Sequence, residues 1–382
     1  MTELASPASL GFDSAGLERI AATLGRWQRL GDAAMQLSLY RWGQPVLDVA
    51  CGADPFTGQP VRRDTLFCLL SATKGLAAIV LLHLRAQGRF HWQDRVVDYW
   101  PEFGYGGKER ATIEDVLSHR LGIPALTAPY QRWPDRDYMR RLVERSRAQW
   151  PPGTRYGYHG GIFGTVIDEL CRRWTGRSLG QVLHEEIARP IGHLDCYIGL
   201  PAQAEARLAR LLFLEPEQRT APGFSGMANP PLGWDGEYNN LEVLRSCQPS
   251  GGGVASAHDL AGIFNLLALE GAYRGRRFWD AALQRDTTRR RSPAFDGERP
   301  ASPGLRGGCW GLGFLVAPTP EIFGTVPLGP RTIGHAGASG AVAWADPDTG
   351  ISFAFTINGL RGRRQLYRNR VLGDLVRQAL VG

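Results

Sequence analysis

The chain has 382 residues, 43% of them hydrophobic, which is enough to bury one large domain or two closely associated ones. Its formal net charge is +7, but the arginines are scattered and the longest basic run covers only residues 289–291, so we expect no binding to nucleic acid. Residues 1–12 lack a basic and apolar leader, and the most apolar run, 76–84, is about half a bilayer span. We therefore expect a cytoplasmic protein without a membrane anchor.

The cysteines and histidines give no pattern typical of a metal centre. The six cysteines lie far apart without a CxxC pair, and the eight histidines form no cluster with ligand spacing. We therefore expect reduced thiols, no metal ion and no cofactor. The oligomeric state has no signature in the sequence.

The two ends of the chain carry similar patterns. Residues 14–30 have the apolar spacing of a helix with Ser14 as its N-cap, and residues 36–52 are typical of two strands around a tight turn at 42–44. Near the C-terminus, three strand-like segments precede an amphipathic helix over 364–380. We expect both ends to share one antiparallel sheet flanked by helices, which is an α/β (α+β) fold.

The middle of the chain is predicted to be mainly helical. Six segments have helical periodicity and several end at glycine, namely 73–88, 112–120, 137–149, 162–176, 178–192 and 256–271. Residues 286–308, rich in Arg, Ser, Pro and Gly, are predicted to form a long surface loop. The expected organisation is a sheet domain from residues 1–66 and 306–382 and a helical domain from 67–305, with the active site at their interface.

The stretch CLLSATKG contains one of only two lysines, Lys74 and Lys108, in a chain whose Lys+Arg total is 44. A buried ammonium gives up its proton far more readily than a guanidinium does. Ser71 is expected at the N-terminus of an apolar and buried helix, where free N–H groups favour negative charge. Because Lys74 lies about one turn further along, its amine is expected to hydrogen-bond the Ser71 hydroxyl and activate it as a nucleophile.

The glycine-rich segment GHAGASG, residues 334–340, suggests a second part of the same site. Gly337 and its neighbours permit a close approach of the backbone to a ligand. The N–H of Ala338 is therefore expected to be one oxyanion donor, and the N–H of Ser71 the other.

Simpler interpretations of each residue stay open at this point. Ser71 would serve as an ordinary N-cap, and Lys74 would then extend its charge into solvent. Tyr158, which follows a Pro/Gly turn, would be a packed tyrosine with a satisfied hydroxyl. His335 would be an exposed histidine at a β-bulge.

Taken together, these segments resemble the serine β-lactamase and penicillin-binding protein superfamily, which combines an SxxK motif, a tyrosine-bearing loop and a KTG-like strand. The nearer likeness is to class C β-lactamases and, closer still, to family VIII carboxylesterases. It extends in order from about Phe67 to Asn358 and includes the stretches ATIEDVLSHRLGIPAL, PPGTRYGYHG and GHAGASGAVAWADP.

The resemblance implies a role for each residue. Ser71 would be the nucleophile, and Lys74 and Tyr158 the pair that handles protons. The N–H groups of Ser71 and Ala338 would form the oxyanion hole, and the segment that carries His335 and Gly337 would contact the substrate.

The sequence also departs from the pattern of the antibiotic-hydrolysing enzymes. Gly160 replaces the asparagine of their YxN motif, and His335 and Ala336 stand where they have lysine and threonine. An imidazole is a poorer clamp for a β-lactam carboxylate than a permanent ammonium, so efficient β-lactam hydrolysis is not expected.

The expected reaction is hydrolysis of a small-molecule carboxylic ester through an acyl-enzyme. Transfer of the acyl group to an alcohol or amine is the nearest alternative, followed by amide or peptide hydrolysis and by a non-catalytic binding protein. A Ser-His-Asp hydrolase is not expected, because the chain has no GxSxG motif and no pattern of alternating parallel strands. Aromatic residues in the expected loops suggest an apolar pocket wall; they are Tyr130, Trp133, Trp150, Trp234 and Tyr238.

Overall fold

A computed structural model describes residues 3–124, 126, 128–214, 236, 238–291, 309–360 and 364–381 of the chain. The helices are α1 (Ser14–Arg29), α2 (Thr73–Ala86), α3 (Val96–Tyr99), α4 (Ile113–Leu117), α5 (Arg136–Arg145), α6 (Ile162–Thr175), α7 (Leu179–Val182), α8 (Arg189–Ile191), α9 (Leu241–Arg245), α10 (Ala257–Ala268), α11 (Ala281–Thr288), α12 (Pro320–Phe323) and α13 (Arg364–Ala379). The strands are β1 (Met35–Arg41), β2 (Gln44–Cys51), β3 (Leu66–Cys68), β4 (Cys196–Ile198), β5 (Leu208–Ala209), β6 (Leu212–Phe213), β7 (Gly253–Ala255), β8 (Ala272–Tyr273), β9 (Arg276–Arg277), β10 (Cys309–Trp310), β11 (Leu315–Val316), β12 (Ile333–Ala336), β13 (Val342–Asp346), β14 (Ile351–Ile357) and β15 (Gly359–Leu360).

The main sheet joins the two ends of the chain, as predicted. Its seven strands lie in the order β10-β11-β12-β13-β14-β1-β2, and all neighbouring pairs are antiparallel. The first strand pairs with β14 in a register that sets Met35 opposite Ile357 and Arg41 opposite Ile351. The predicted turn at 42–44 connects β1 to β2.

Helices cover both faces of the sheet because its strands alternate between two apolar faces. Phe353 and Phe355 of β14 belong to one core cluster with residues of α1 and α13. Ala354, which points the other way, belongs to a second cluster with residues of α10 and α2. The Ser352 hydroxyl donates to the Ala261 carbonyl oxygen of α10 at 2.9 Å, which anchors that helix to the sheet.

The second of these clusters continues from the sheet into the helices of the middle segment. The division into a domain of 1–66 and 306–382 and a domain of 67–305 therefore stays a prediction. Among the described residues, no helix is long and apolar enough to cross a membrane.

Two predictions about local structure are wrong. The N-cap of α1 is Asp13, whose carboxylate accepts from the N–H groups of Ala15 and Gly16, and Ser14 is the first helical residue. The predicted surface loop over 286–308 begins inside α11, which ends at Thr288. Arg291 is then buried and paired with acidic side chains, because its guanidinium needs carboxylates once it leaves water; residues 292–308 lie outside the described ranges.

Candidate active site

Ser71 lies at the junction of a short strand and the central buried helix. Strand β3 runs into a single 3-10 turn, Leu70–Ala72, and α2 begins two residues after the serine. Leu70, directly before Ser71, has a left-handed φ of +46°, a conformation that costs a branched residue energy and is commonest at functional sites. No side chain caps α2, so the interpretation of Ser71 as a simple N-cap is wrong. The serine side chain is half-buried.

Lys74 is buried in the middle of this junction, with only 1% of its surface exposed. Its Nζ lies 3.4 Å from Ser71 Oγ and donates to the carbonyl oxygen of Ser250 at 2.7 Å. Burial lowers the pKa of the Lys74 amine to about 7, and no charged partner among the described residues opposes the shift. The amine can therefore be uncharged near neutral pH, and it does not extend into solvent.

Tyr158 reaches the same place from the loop before α6. Lys74 Nζ lies 5.1 Å from the centre of the Tyr158 ring. The ring is half-buried, and its hydroxyl is shielded from solvent without a hydrogen bond of ordinary geometry in the described ranges. Burial raises the pKa of the phenol, and the neighbouring Ser71 hydroxyl opposes that shift. The Tyr158 hydroxyl therefore lies beside Ser71, with no other partner in the described ranges.

The end of β12 packs directly against the turn that carries Ser71. A Cβ built on Gly337 would lie 2.0 Å from the carbonyl oxygen of Leu69 and 3.3 Å from the backbone nitrogen of Ala72. Only glycine allows this approach, so the backbone that leads into Ala338 packs against the turn that carries Ser71. The role of Ala338 as an oxyanion donor stays a prediction. Within the described residues, neither the Ser71 N–H nor the Ala338 N–H donates to a protein acceptor. Both donors are therefore available to a ligand.

His335 lies in a regular part of β12, opposite Ala343 of β13, and is fully buried. The interpretation of an exposed histidine at a bulge is therefore wrong. Its Nδ1 donates to the Ala336 carbonyl oxygen at 2.9 Å. Burial, with a smaller contribution from Lys74, lowers the pKa of His335 to about 3, so its imidazole is neutral. A contact of His335 with substrate stays a prediction.

A sequence profile described as Beta-lactamase matches residues 21–377. The chain belongs to the β-lactamase family. The expected resemblance and the expected fold class are both confirmed.

The family contains relatives with several named activities. The protein named Esterase/beta-lactamase LipL of Mycobacterium tuberculosis is 29% identical over 361 residues, which is 90% of this chain and 80% of LipL. The crystal structure of a family VIII carboxylesterase has a TM-score of 0.83 at 26% identity and covers 99% of both chains. A penicillin-binding protein homologue from Caulobacter crescentus has the same TM-score, 0.83, at 29% identity and also covers 99% of both chains.

Ser250 is a residue of the site that the sequence did not identify. Its carbonyl oxygen holds the Lys74 amine, and its hydroxyl donates to the Gly161 carbonyl and accepts from the Gly164 N–H, each at 2.6 Å. Ser250 thus links the lysine to the start of α6, just after Tyr158. The GGG run that follows it indicates a close backbone approach, but the partner of that approach is set by the tertiary fold.

One group of side chains in the described ranges has the composition of a metal site. His193, His258 and Asp259 each offer a ligand atom within 4.8 Å of the others. These atoms already have partners, because His193 Nδ1 lies 2.9 Å from Asp259 Oδ1 and the Arg63 guanidinium lies 2.7 Å from His258 Nε2. A permanent cation at that distance opposes the binding of a metal ion. This network was not predicted from the sequence. None of its residues belongs to the Ser71 site.

Replacement of Gly337 by alanine tests the close approach of β12 to Ser71. The new methyl group would collide with the Leu69 carbonyl and push Ala338 away from Ser71. We expect kcat for ester hydrolysis to fall by about 10²- to 10³-fold, the usual loss for one oxyanion donor. The control is Gly161→Ala, because no atom lies within 4 Å of the added methyl group there. A folded Gly337→Ala protein with wild-type kcat would contradict the predicted role of Ala338.

Proposed function

We propose that the protein is a serine carboxylesterase that hydrolyses small-molecule esters through an acyl-enzyme on Ser71. The observation that carries this proposal is the buried Lys74 amine, 3.4 Å from Ser71 Oγ, with a pKa lowered to about 7. An amine in this state accepts the serine proton at neutral pH. A distance slightly longer than an ideal hydrogen bond is common before substrate binds.

The two titrating side chains take different roles in the proposed reaction. Burial lowers the pKa of the Lys74 amine and raises that of the Tyr158 phenol. We therefore assign the base to Lys74, which takes the proton of Ser71 Oγ as the oxygen bonds to the ester carbonyl carbon. The carbonyl oxygen becomes an oxyanion that accepts from the N–H groups of Ser71 and Ala338.

Tyr158 is assigned to the leaving group. As the tetrahedral intermediate collapses, the bond from carbon to the alcohol oxygen breaks, and the phenol gives that oxygen its proton. The Lys74 ammonium returns a proton to the phenolate. The oxygen of a water molecule then bonds to the acyl carbon and gives a proton to Lys74. The bond from that carbon to Ser71 Oγ breaks, the Lys74 ammonium returns the proton to Oγ, and the free acid leaves.

Two features favour an ester over a β-lactam. The position of the lactamase lysine is occupied by His335, which is buried and neutral, so it offers no charge to a substrate carboxylate. Gly160 also has no side chain to replace the amide of the YxN motif. The similarity to a family VIII carboxylesterase supports the same choice, whereas the name of LipL covers both activities.

The predicted aromatic wall is supported in part. The rings of Trp133 and Tyr238 lie 5.7 Å apart, and a Cβ on Gly251 would touch the Tyr238 hydroxyl oxygen. These rings therefore lie next to the segment that holds Lys74, where an apolar acyl or alcohol group would bind. Trp234 lies outside the described residues.

The proposal is tested with p-nitrophenyl acetate and butyrate, a chromogenic cephalosporin and a D-alanyl-D-alanine peptide. We expect kcat/KM for the esters to exceed that for the cephalosporin by at least about 10- to 100-fold, which is the value of one charge-assisted hydrogen bond. Faster turnover of the cephalosporin or the peptide would contradict the proposal. Product analysis with an added alcohol distinguishes the acceptors, since a new ester in place of free acid would assign an acyltransferase.

A further inference from the structure

His119, immediately after α4, holds the backbone on both sides of Tyr158. Its carbonyl oxygen accepts from the N–H of Gly157 at 3.0 Å, and its Nδ1 accepts from the N–H of His159 at 3.2 Å. One residue thus accepts hydrogen bonds from the N–H groups of the two residues that flank the tyrosine. Within the described ranges, the other ring nitrogen of His119 makes no hydrogen bond.

The backbone of His119 is suited to this double contact. Its φ is +60°, in the left-handed region that non-glycine residues rarely adopt, and the residue is fully buried. Such a conformation costs free energy and persists where surrounding contacts hold it, most often at functional sites. The two hydrogen bonds to the tyrosine loop are among the contacts that hold it here.

A second histidine makes a hydrogen bond in the reverse sense, from the tyrosine loop to the segment that follows His119. His159 Nε2 accepts from the N–H of Ile123 at 3.0 Å. Residues 119–123 and 157–159 are therefore joined by three hydrogen bonds, two of which end on imidazole nitrogens. Both rings act as neutral acceptors, and burial keeps the pKa of each histidine well below its ordinary value.

The His119 ring also supports the Tyr158 ring directly. The centres of the two rings lie 4.6 Å apart, and His119 in turn contacts Trp310 at 4.6 Å and Phe163 at 5.3 Å. Trp310 packs on Tyr158 at 5.6 Å. The phenol is therefore enclosed by rings, while its hydroxyl is left beside Ser71.

We propose that His119 is a positioning residue for Tyr158, which fixes the phenol at the distance from Ser71 and Lys74 that proton transfer requires. The inference rests on the proposed function, because it assigns a purpose to the position of Tyr158. A displacement of a reacting group by about 1 Å costs on the order of 10²-fold in rate. Loss of the Nδ1 acceptor would free the peptide at His159 and permit such a displacement.

The experiment compares His119→Asn with His119→Gln and His119→Phe. The asparagine carbonyl oxygen occupies nearly the place of Nδ1 and asparagine tolerates a left-handed backbone, whereas the glutamine oxygen lies one bond too far and phenylalanine has no acceptor. We expect His119→Asn to keep kcat within a few-fold of wild type. We expect kcat of the other two variants to fall by about 10- to 100-fold, with little change in KM. If the His119→Phe protein does not fold, the comparison of His119→Asn with His119→Gln still tests the proposal.

The pH profile distinguishes a positioning role of His119 from a purely structural role. Movement of the phenol changes its electrostatic coupling to the Lys74 amine. The apparent pKa near neutral pH in the profile of kcat/KM should therefore shift in His119→Gln and remain at the wild-type value in His119→Asn. The matched control is His193→Leu, which removes a buried imidazole that is hydrogen-bonded to Asp259 and lies outside the Ser71 site. It should lower the melting temperature and leave the pH profile unchanged.

Three results would overturn the inference: an unchanged kcat and pH profile in His119→Gln, equal losses in the asparagine and glutamine variants, or the same kinetic change in His193→Leu. The Ser71→Ala variant keeps this failure distinct from failure of the proposed function. If Ser71→Ala retains turnover, the esterase proposal fails whatever His119 does. If Ser71→Ala is inactive while His119→Gln behaves as wild type, only the positioning role fails.

Discussion

Replacement of Ser71 by alanine is expected to reduce ester turnover by at least about 10³-fold and to abolish covalent labelling by a fluorophosphonate. Ser71 Oγ is the protein atom that bonds to the acyl carbon in the proposed reaction, so its loss leaves the oxyanion donors and substrate binding. The measurements are the initial rate of p-nitrophenyl butyrate hydrolysis and the mass of the labelled protein. Because Ser71 makes no capping hydrogen bond, its removal should leave the fold intact.

The control for this variant is a serine that stabilises the fold without entering the site. Ser256 is the N-cap of α10, and its hydroxyl accepts from the N–H of Asp259. Ser256→Ala should lower the free energy of unfolding by about 1 kcal/mol and keep wild-type turnover. Full ester turnover by Ser71→Ala, or an adduct on another residue, would contradict the assignment of the nucleophile.

Replacement of Lys74 by arginine is expected to lower kcat by about 10²- to 10⁴-fold, the usual contribution of a positioned base. The substitution keeps a positive charge but removes the amine that titrates, because a guanidinium stays protonated at any working pH. Lys74→Met, which fits the same buried volume without charge, should lose a similar factor. Activity retained in either variant would contradict the role of the amine.

The pH dependence follows from the lowered pKa of the same group. The amine is the active species when it is unprotonated, so kcat/KM should rise with pH through about 7, where burial has placed the pKa of Lys74. In Lys74→Arg and Lys74→Met this limb should disappear. A profile that falls through the same range, or that survives in the variants, would assign the titration to another group.

The second lysine of the chain provides a matched control. Lys108 is fully buried, like Lys74, and its Nζ donates to the carbonyl oxygens of Tyr105 and Ser146. Burial lowers the pKa of Lys108 to about 8. Lys108→Met should destabilise the fold by about 1–3 kcal/mol through unsatisfied carbonyls and leave the pH profile of the enzyme unchanged.

Lys108 also shows the limit of one sequence argument. The rarity of lysine predicted a special role for Lys74, yet Lys108 is just as buried and only connects two loops. Rarity and burial do not by themselves distinguish a catalytic amine from a structural one. The spacing to Ser71 makes the distinction, since residues three apart on a helix lie on one face.

The elements that were predicted correctly from the sequence are those whose periodicity of apolar residues is complete within a short segment of the chain. Helix α1, the hairpin of β1 and β2 and the buried character of α2 were predicted because 3.6-residue and two-residue periodicities are local properties. The four-stranded sheet of β4, β7, β3 and β5 was missed. Its strands have only two or three residues, which is too few to show alternation.

By itself, the sequence determined the helical turn that joins Ser71 to Lys74, the family and the shared sheet of the two chain ends. The tertiary structure alone decided that the Tyr158 ring lies near the Lys74 amine, that the Ser250 carbonyl holds that amine, and that His119 hydrogen-bonds the tyrosine loop. The physical reason is that the pKa of an amine and the direction of a hydroxyl depend on burial and on neighbours that are distant in the chain. Close approaches such as Gly337 against Leu69 are set by packing, which local propensity does not encode.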